Sequence, residues 1–552
     1  MKVVGIDLGT TYSSVSWFDE VNGRVVTIEL VNAADGQKII RSVVYFPQGG
    51  APVVGETAWN VARAHHDRVV VGIKRSMGTD YKFGPVDGVT FTPQQISAEI
   101  LKVLVHEAET YLGDKVSDAV ITVPAYFGDN ERHATAEAGR LAGLNVLGLM
   151  AEPHAAALAY VVEKAATFTE KDLLVYDLGG GTFDITLIHA KSLAHRVADT
   201  GAGGAKEFPT LEVTTLCKEG NASLGGLDWD RKLAELVAEK TQEQHGVDVK
   251  SDPKNEAFLL DSCEKAKRHL GRVTSISVVA DVAGHAVEVS RQEFEERTAG
   301  LLFQSECLVE QALKDAIPVF QDRSRASGSD PDKVDLAYVK SQVTVMLTGG
   351  SSKMPIVKEM LKRITGTDPM QYGNPELLVT IGAAYYAHLL NSGLSAPAVP
   401  QPAPSAGGDG TPQPGPAPAT APARSGGVVI IDTTATSFGI AALRRASNGG
   451  YEEVYAEVLP KNIKYGESRS KDFEKVDDNM AEIEIVLYKS ESGDLAGATQ
   501  VATFKIDGLP PGGRKGEIVR VEMGCDLNGI LRGSALDVIS GRAVPIEIAR
   551  PF

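Results

Sequence analysis

The sequence predicts a large α/β domain of two related halves, followed by a linker and a smaller all-β domain. Three observations support this division. A pattern of strand, Asp-Leu-Gly and threonine occurs twice, once around Asp7 and once around Asp177. Residues 392–427 are rich in proline, alanine and glycine, a composition typical of linkers. Beyond them the apolar residues alternate with period two, as in strands.

The second copy of the repeat lies within residues 175–188. An apolar strand ends on Asp177, and the glycines at 179–181 allow a tight turn in which successive N–H groups can face one anion. Alternation after Thr182 predicts another strand, so the unit is a hairpin. This excludes Walker-type and dinucleotide-binding loops, because both open a helix. A single triple-glycine turn is more often only a tight turn.

The first copy repeats the order in residues 5–12, with Thr10, Thr11 and Tyr12 after the glycine. Two hairpins of one design suggest two lobes that face each other across one polyphosphate. A shared turn preference would explain one copy but hardly both.

Composition excludes several classes of protein. The chain has 552 residues, 43% of them hydrophobic and 23% charged, which is ordinary for a globular protein. Its net charge of −17 argues against nucleic-acid and anionic-membrane partners. The four cysteines form no Cys-x-x-Cys pair, so neither a zinc site nor a disulfide framework is indicated. With no signal peptide and no apolar run of about 20 residues, we expect a cytoplasmic protein.

The first 120 residues begin with short strands, including 25–30 and 43–46, and a helix is expected over 93–112. Lys74 ends an apolar run. Such a lysine usually marks a strand end that reaches solvent, but it can also offset charge on a terminal phosphate during transfer.

Residues 120–127 are predicted to form a buried strand that is stopped by Pro124. Asp129 is expected to cap the next helix, which runs through Arg132. Glu152 precedes a proline and therefore lies at a helix mouth, where its carboxylate either faces a cleft or complements the helix dipole.

Two glycine pairs, 225–226 and 349–350, each follow a strand and open a helix. Anion or sugar contacts are plausible at such helix N-termini, although the signal is common in α/β proteins. Between them, Glu264, Lys267 and Arg268 lie on a helix whose simplest interpretation is a solvated charged face.

The C-terminal part contains short strands at 438–440, 483–487, 504–506 and 518–521, separated by turn-rich segments. We interpret it as a β-sandwich. The predicted organisation is therefore an α/β domain over 1–391, a linker over 392–427, a short apolar segment over 428–432 and a sandwich over 433–552.

Taken jointly and in this order, the motifs resemble those of the seventy-kilodalton heat-shock chaperones. The resemblance implies an actin-like two-lobed ATPase joined to a β domain that binds extended hydrophobic segments of unfolded proteins. It is carried by the two hairpins and by residues 123–127, 152–153, 224–226, 349–351 and 526–531.

The same resemblance implies that ATP and Mg²⁺ bind between the lobes. Catalysis would involve Lys74, Glu152, Asp177, Thr182 and Asp7. The ion would be placed through its waters by Asp7, Asp177 and Asp184. The nucleotide would contact Thr10, Thr11, Tyr12, Gly180, Gly181, Thr182, Gly225, Gly226, Glu264, Lys267, Arg268, Gly350, Ser351 and Lys353.

In the β domain the resemblance implies a pocket for a leucine-like side chain, formed by Ile440, Phe473, Ile483 and Ile485. Leu443 and Val476 would form an arch over the peptide backbone. Communication between the domains would use Pro124, Arg132, Val429, Ile430, Ile431 and Asp432. The implied partners are hydrophobic peptides, a J-domain co-chaperone and a nucleotide exchange factor, with the chain itself a monomer.

Several departures from the family pattern alter these expectations. The sequence ends where the family continues into a helical lid, so we expect a lidless variant that releases peptides quickly. The proline-rich insert should weaken coupling between the domains. Gly148 and Ala151 replace residues that serve the J-domain partner. Gly271 and Lys353 replace a serine and an arginine on the adenosine side, which should lower nucleotide affinity.

Three alternatives remain open from the sequence. A sugar or acetate kinase of the same ATPase fold would lack the C-terminal sandwich. A degenerate nucleotide-sensing scaffold is disfavoured because the predicted catalytic residues, including Lys74 and Glu152, are retained. An actin-class filament would be revealed by light scattering in the presence of ATP.

Overall fold

The computed structural model of the protein describes residues 2–31, 37–62, 65–164, 168–193, 210–370, 372–392, 428–434, 436–445, 451–490, 493–525, 529 and 531–547. The predicted linker lies outside these residues apart from Ser392, as do residues 526–528 and Ile530 of the last family motif.

The first part of the chain alternates strands with helices. Its strands are Lys2–Asp7 (β1), Tyr12–Asp19 (β2), Arg24–Thr27 (β3), Ile40–Arg41 (β4), Val43–Tyr45 (β5), Val53–Val54 (β6), Val69–Val71 (β7), Phe83–Val86 (β8), Val89–Phe91 (β9), Val116–Val123 (β10) and Asn145–Ala151 (β11). Its helices are Glu56–Val61 (α1), Pro93–Leu112 (α2), Asp129–Leu141 (α3) and Glu152–Glu163 (α4), with 3₁₀ turns at His66–Arg68 and Ile73–Ser76.

The next part has the same character. Its strands are Glu170–Leu178 (β12), Phe183–Leu193 (β13), Thr210–Asn221 (β14), Ser275–Val279 (β15), Ala286–Ser290 (β16) and Val343–Thr348 (β17). Its helices are Gly226–His245 (α5), Pro253–Leu270 (α6), Arg291–Asp315 (α7), Ile317–Ala326 (α8), Leu336–Gln342 (α9), Pro355–Thr365 (α10) and Leu378–Asn391 (α11), with 3₁₀ turns at Val249–Ser251, Pro331–Lys333 and Gly350–Lys353.

The two main sheets share one plan. In the first, the strand order is β11-β10-β1-β2-β3, with β1 parallel to β10 and antiparallel to β2. In the second, the order is β17-β12-β13-β14, with β12 parallel to β17 and antiparallel to β13. The repeat seen in the sequence therefore corresponds to equivalent hairpins, β1–β2 and β12–β13, in two related sheets.

Helices α4 and α11 cross between these sheets at very short range. A Cβ at Gly382 would lie 1.8 Å from the carbonyl oxygen of Ala155, and one at Gly5 would lie 2.0 Å from the backbone nitrogen of Ala384. Both positions therefore require glycine. Around them, buried alanines of α4 join apolar residues of both sheets in one core.

The last described part of the chain consists of strands, apart from turns and loops. They are Val428–Ile431 (β18), Ser437–Arg445 (β19), Tyr451–Leu459 (β20), Ser468–Glu474 (β21), Glu482–Ser490 (β22), Thr499–Asp507 (β23), Ile518–Cys525 (β24), Leu531–Asp537 (β25) and Ala543–Glu547 (β26). Two four-stranded sheets, β20-β19-β22-β23 and β21-β24-β25-β26, enclose a separate apolar core.

Strand β18 does not belong to either sheet of the C-terminal part. It pairs in parallel with β14, with Leu211 opposite Val428 and Thr214 opposite Ile431. The short apolar segment thus extends the second α/β sheet by one strand.

Most predicted elements are confirmed, including the helix at Pro93–Leu112 and the all-β character of the C-terminal part. Two details were wrong. The strand expected at 25–30 ends at Thr27. Asp129 does not cap α3, because Gly128 is the N-cap residue and the Asp129 carboxylate instead accepts a hydrogen bond from the Leu531 backbone.

The four cysteines, all of which lie in described residues, form no disulfide. Within the described ranges, no helix has the length and apolar character needed to cross a membrane.

Candidate functional site

A cleft of about 660 Å³ lies between the carboxyl ends of the two central strands, β1 and β12. Both hairpins of the repeat contribute to its lining, together with the N-terminal end of α4 and the helix α6. The predicted residues that line it are Asp7, Thr10, Thr11, Tyr12, Lys74, Glu152, Asp177, Gly180, Thr182, Gly226, Glu264, Lys267, Arg268, Gly350, Ser351 and Lys353.

The β12–β13 turn leaves amide groups available for an anion. The Gly179 carbonyl accepts a hydrogen bond from the backbone N–H of Gly226, and the Gly180 carbonyl accepts one from Leu227, at 2.9 and 2.8 Å. These donors belong to the first turn of α5, whose N–H groups lack partners within the helix. Within the described part of the chain, the N–H groups of residues 180–182 donate to no other residue.

The two hairpin turns approach each other very closely. A Cβ at Gly180 would lie 1.9 Å from Thr11 Oγ1, and one at Gly181 would lie 2.3 Å from Thr10 Cγ2. None of the glycines at 179–181 has a positive φ. Glycine is therefore needed here for close contact between the hairpins rather than for a left-handed turn.

Lys74 and Glu152 meet at the floor of the cleft. Lys74 lies on the 3₁₀ turn after β7, and Glu152 is the first residue of α4. The Lys74 ammonium donates to Glu152 Oε1, and both residues are buried. Although burial favours the neutral amine, the carboxylates of Glu152 and Asp7 raise the pKa of Lys74. Lys74 is therefore a fixed cation.

Three aspartates bring excess negative charge to the same region. Burial, with the Glu152 carboxylate as the next cause, raises the pKa of Asp7 and of Asp184 to about 7. The same causes hold the pKa of Asp177 well above its usual value. Such an arrangement is unfavourable unless a cation compensates it. Among the described residues, no three acidic, histidine or cysteine side chains are close enough to ligate an ion directly.

At the other end of the cleft, polar side chains are held in position by ion pairs. Tyr12 donates to Glu264 at 2.8 Å, and Arg268 pairs with the same carboxylate at 3.0 Å. The Lys267 ammonium donates to the Gly226 carbonyl at 2.9 Å and pairs with Asp230 at 2.8 Å. This end therefore offers both donors and acceptors, as recognition of a sugar and base requires.

Three predicted residues do not line the cleft. Gly181 and Gly225 pack against each other, since a Cβ at Gly225 would lie 2.5 Å from the Gly181 carbonyl carbon. Asp184 is buried and accepts a hydrogen bond from the Tyr126 backbone at 3.0 Å. A further predicted residue, Lys353, does line the cleft, but its ammonium pairs with Glu376 at 2.8 Å.

The donor set fits a magnesium nucleotide. Unpaired amide groups in the β12–β13 turn, together with a fixed lysine, suit phosphate oxygens. Among the described residues, the buried Thr11 Oγ1 has no hydrogen-bond partner, which indicates a polar ligand at this point. The aspartates suit a hydrated Mg²⁺, an ion that usually keeps several of its waters.

The predicted coupling residues converge around Asp432, at the end of β18. This carboxylate pairs with the Lys218 ammonium at 2.9 Å and the Arg132 guanidinium at 3.5 Å, and it accepts from Thr215 Oγ1 at 3.1 Å. Burial alone would favour the neutral acid, but the Lys218 ammonium and the Arg132 guanidinium outweigh it and lower the pKa of Asp432.

Backbone contacts complete the junction. The Asp432 carbonyl accepts from the Tyr465 N–H at 2.8 Å, and Arg132 also donates to the Phe127 carbonyl at 3.0 Å. Pro124 directly follows β10, and its carbonyl accepts from the Phe127 N–H at 3.2 Å in the next turn. In β18, Val428 is buried, Ile430 and Ile431 are half-buried and Val429 is 46% exposed.

The predicted peptide pocket residues lie largely within the core of the C-terminal sheets. Ile440 and Ile485 are buried, and Phe473 and Ile483 pack against the same cluster. The two predicted arch residues lie elsewhere. Leu443 is 52% exposed and, by strand alternation, lies on the face of β19 opposite to Ile440. Val476 is half-buried just after β21.

Sequence reasoning missed several residues of these sites. Asp230 lines the cleft, and its carboxylate pairs with the Lys267 ammonium. Burial raises the pKa of Asp230 to about 6. Lys218 and Thr215 give no local signal, since both lie inside an ordinary strand. His154 is buried and shares a 2.8 Å hydrogen bond with Thr215. Burial lowers the pKa of His154 to about 4, so it is neutral near pH 7.

Comparison with known proteins shows the family of the chain. The family model described as "Hsp70 protein" matches residues 3–87, 83–398 and 419–551, which together cover nearly the whole chain. The chain belongs to the Hsp70 family. It therefore has the N-terminal α/β domain and the β-rich C-terminal region of Hsp70 proteins, and it is an ATP-dependent chaperone that hydrolyses ATP.

Curated Hsp70 relatives are similar along almost all of the chain. "Chaperone protein DnaK" of Thermotoga petrophila is 35% identical over 549 residues, which are 98% of this chain and 79% of the relative. The protein of the same name from Thermotoga neapolitana gives the same values. That of Thermosipho africanus is 33% identical over 548 residues, 98% of this chain and 78% of the relative. Hsp70 proteins of the DnaK type bind nucleotide with Mg²⁺, unfolded substrates and co-chaperones.

The close contact between the hairpins can be tested with two adjacent glycines. Gly180→Ala should weaken ATP binding by about tenfold or more, because its Cβ would collide with Thr11 and separate the two turns. Gly179→Ala is the matched control, since its Cβ would have no contact shorter than 3.6 Å. Calorimetric titration measures both affinities. Equal affinities in the two variants would contradict the proposal that the two hairpin turns must be in close contact for ATP to bind.

Proposed function

We propose that the cleft is the ATPase site of this chaperone, with the nucleotide between two actin-like lobes. The observation that supports this most strongly is that both repeat hairpins meet at one cleft whose floor holds the Lys74–Glu152 pair. The predicted division into an α/β domain over 1–391, a linker over 392–427, a docking segment over 428–432 and a sandwich over 433–552 is part of this proposal.

Each part of the cleft has a distinct role in the proposal. The free amides at 180–182 and the threonines of the first hairpin hold the phosphates. Tyr12, Glu264, Lys267, Arg268, Gly350, Ser351 and Lys353 surround the nucleoside. Asp7 and Asp177, which line the cleft, would hold the hydrated ion. Asp184, which is buried behind the lining, would support them. Magnesium, when bound, would neutralise phosphate charge and hold the transferred group.

Lys74 and Glu152 perform complementary tasks in hydrolysis. The Lys74 ammonium faces the cleft with its charge fixed, so it stabilises negative charge as the terminal phosphate leaves. Glu152 holds that ammonium in place and offers a second carboxylate oxygen to orient the attacking water.

We further propose that β18, when paired with β14, links ATP hydrolysis to peptide binding, and that this pairing depends on the bound nucleotide. Parallel pairing with β14 supplies backbone hydrogen bonds, and burial of Val428 adds apolar contact. Asp432 then connects β14, α3 and the loop that carries Tyr465. Lys461 strengthens the same junction through Glu219, with Asp315 at 3.9 Å.

Peptide binding is proposed for the apolar surface around Ile440, Phe473, Ile483 and Ile485. An extended peptide gains affinity from main-chain hydrogen bonds and preference from such a pocket. The arch formed by Leu443 and Val476 stays a prediction. Use of a J-domain partner and an exchange factor, and a monomeric chain, are proposed from the family resemblance.

Lys74→Ala tests the catalytic assignment. We expect ATP to bind within a fewfold of normal while kcat falls by about 100-fold or more, because stabilisation of transition-state charge is lost. Single-turnover hydrolysis and equilibrium binding measure the two quantities. Lys362→Ala, which removes an exposed lysine of α10, is the control. Normal turnover in Lys74→Ala would exclude the assigned role.

Ile483→Asp tests the peptide pocket. A carboxylate there should weaken binding of a leucine-rich extended peptide by at least about tenfold, because it would be buried without a partner. Basal ATP hydrolysis should be unchanged. Glu484→Ala, at the neighbouring exposed position, serves as the control. Fluorescence anisotropy of a labelled peptide gives the affinities, and undiminished binding to Ile483→Asp would refute the pocket.

Asp432→Asn tests the docking junction. Removing the charge leaves the buried Lys218 uncompensated, which should lower hydrogen-exchange protection of residues 428–431 by about tenfold or more. The double variant Asp432→Asn/Lys218→Met should regain protection, since neither charge remains. Val429→Thr is the control at an exposed position of the same strand. Equal protection in all four proteins would show that the ion pair does not hold β18.

A further inference from the structure

The turn between β12 and β13 has all four of its carbonyl groups occupied. Two accept from the first turn of α5, as described above, and the Thr182 carbonyl accepts from the Gly179 N–H at 3.1 Å. The remaining carbonyl, that of Gly181, accepts from Arg75 Nε at 2.7 Å. A single side chain therefore completes a set of contacts that is otherwise made by the backbone.

Arg75 reaches this carbonyl from another part of the chain. It follows Lys74 on the 3₁₀ turn Ile73–Ser76. Its Nη2 pairs with Asp228 at 2.6 Å, and the same carboxylate accepts from the Gly225 N–H at 2.9 Å at the start of α5. The guanidinium thus connects the lysine turn, the glycine turn and the helix N-terminus.

The contact fixes the direction of one amide group. In a trans peptide unit, the carbonyl and the following N–H point in opposite directions within one plane. Because Arg75 holds the Gly181 carbonyl, the N–H of Thr182 is directed to the opposite side. Thr182 itself lines the cleft and its N–H has no partner among the described residues.

We infer that Arg75 is a positioning residue for the phosphates, acting through the Gly181–Thr182 peptide unit. The inference deepens the proposed function and rests on it, since it requires that this turn bind phosphate. Arg75 has no assigned contact with the nucleotide. Its two functions are to orient one amide donor and to keep the Lys74 turn in register with the glycine turn.

A comparison of ligands with and without phosphates separates this role from a purely structural one. In Arg75→Gln, affinity for ADP should fall by about tenfold or more, because one amide donor is no longer held toward the phosphates. Affinity for adenosine should stay within about twofold, since the nucleoside end of the cleft is untouched. Isothermal titration of the full chain gives both constants.

Arg75→Lys should show the same loss for ADP, because one ammonium cannot reproduce the fork that binds both Gly181 and Asp228. Arg68→Gln, which breaks the Arg68–Asp87 pair outside the cleft, should change neither affinity. Unchanged preference for ADP over adenosine in Arg75→Gln or Arg75→Lys would overturn the inference, as would an equal loss for both ligands. If the unaltered protein binds ADP no better than adenosine, the proposed phosphate site itself fails.

Discussion

One buried carboxylate, Asp432, joins β18, the α/β domain and the C-terminal sheets. It lies where the added strand β18 ends and the C-terminal sheets begin, and it contacts Lys218 and Arg132 of the α/β domain. A buried charge of this kind is tolerated only while its partners remain in place. The positions of β18, the α/β sheet and the Tyr465 loop are therefore interdependent. Displacement of any one of them would separate Asp432 from its partners.

The glycine turns of the proposed ATPase cleft likewise depend on contacts with other parts of the chain. Backbone groups that face away from the cleft are satisfied by α5, which leaves the inward groups free to donate to a ligand. The glycines of the second hairpin then lie directly against the side chains of Thr10 and Thr11 in the first. In the proposed ATPase, relative movement of the two sheets would change the distance between the amide donors of the β12–β13 turn and the Lys74–Glu152 pair.

Sequence patterns predicted the elements of the fold and the residues that line the cleft, because Asp7, Asp177 and the glycine turns occur in local motifs. The long-range partners were not predictable in this way. Lys218 lies inside a strand with no special pattern, and its partner Asp432 is 214 residues away in the sequence, just after β18. Asp129 satisfied a helix-cap pattern, yet a tertiary contact with Leu531 uses its carboxylate instead.

Strand β18 covers an edge of the second sheet that would otherwise offer unpaired backbone groups. Open edges of this kind invite pairing with foreign strands and hence aggregation. Lys218 lies beyond the paired stretch, which ends at Thr214, and its buried ammonium pairs with Asp432 just after β18. A strand that paired here without an acidic residue at that point would leave the ammonium without this counter-charge, so the edge favours a segment that carries one.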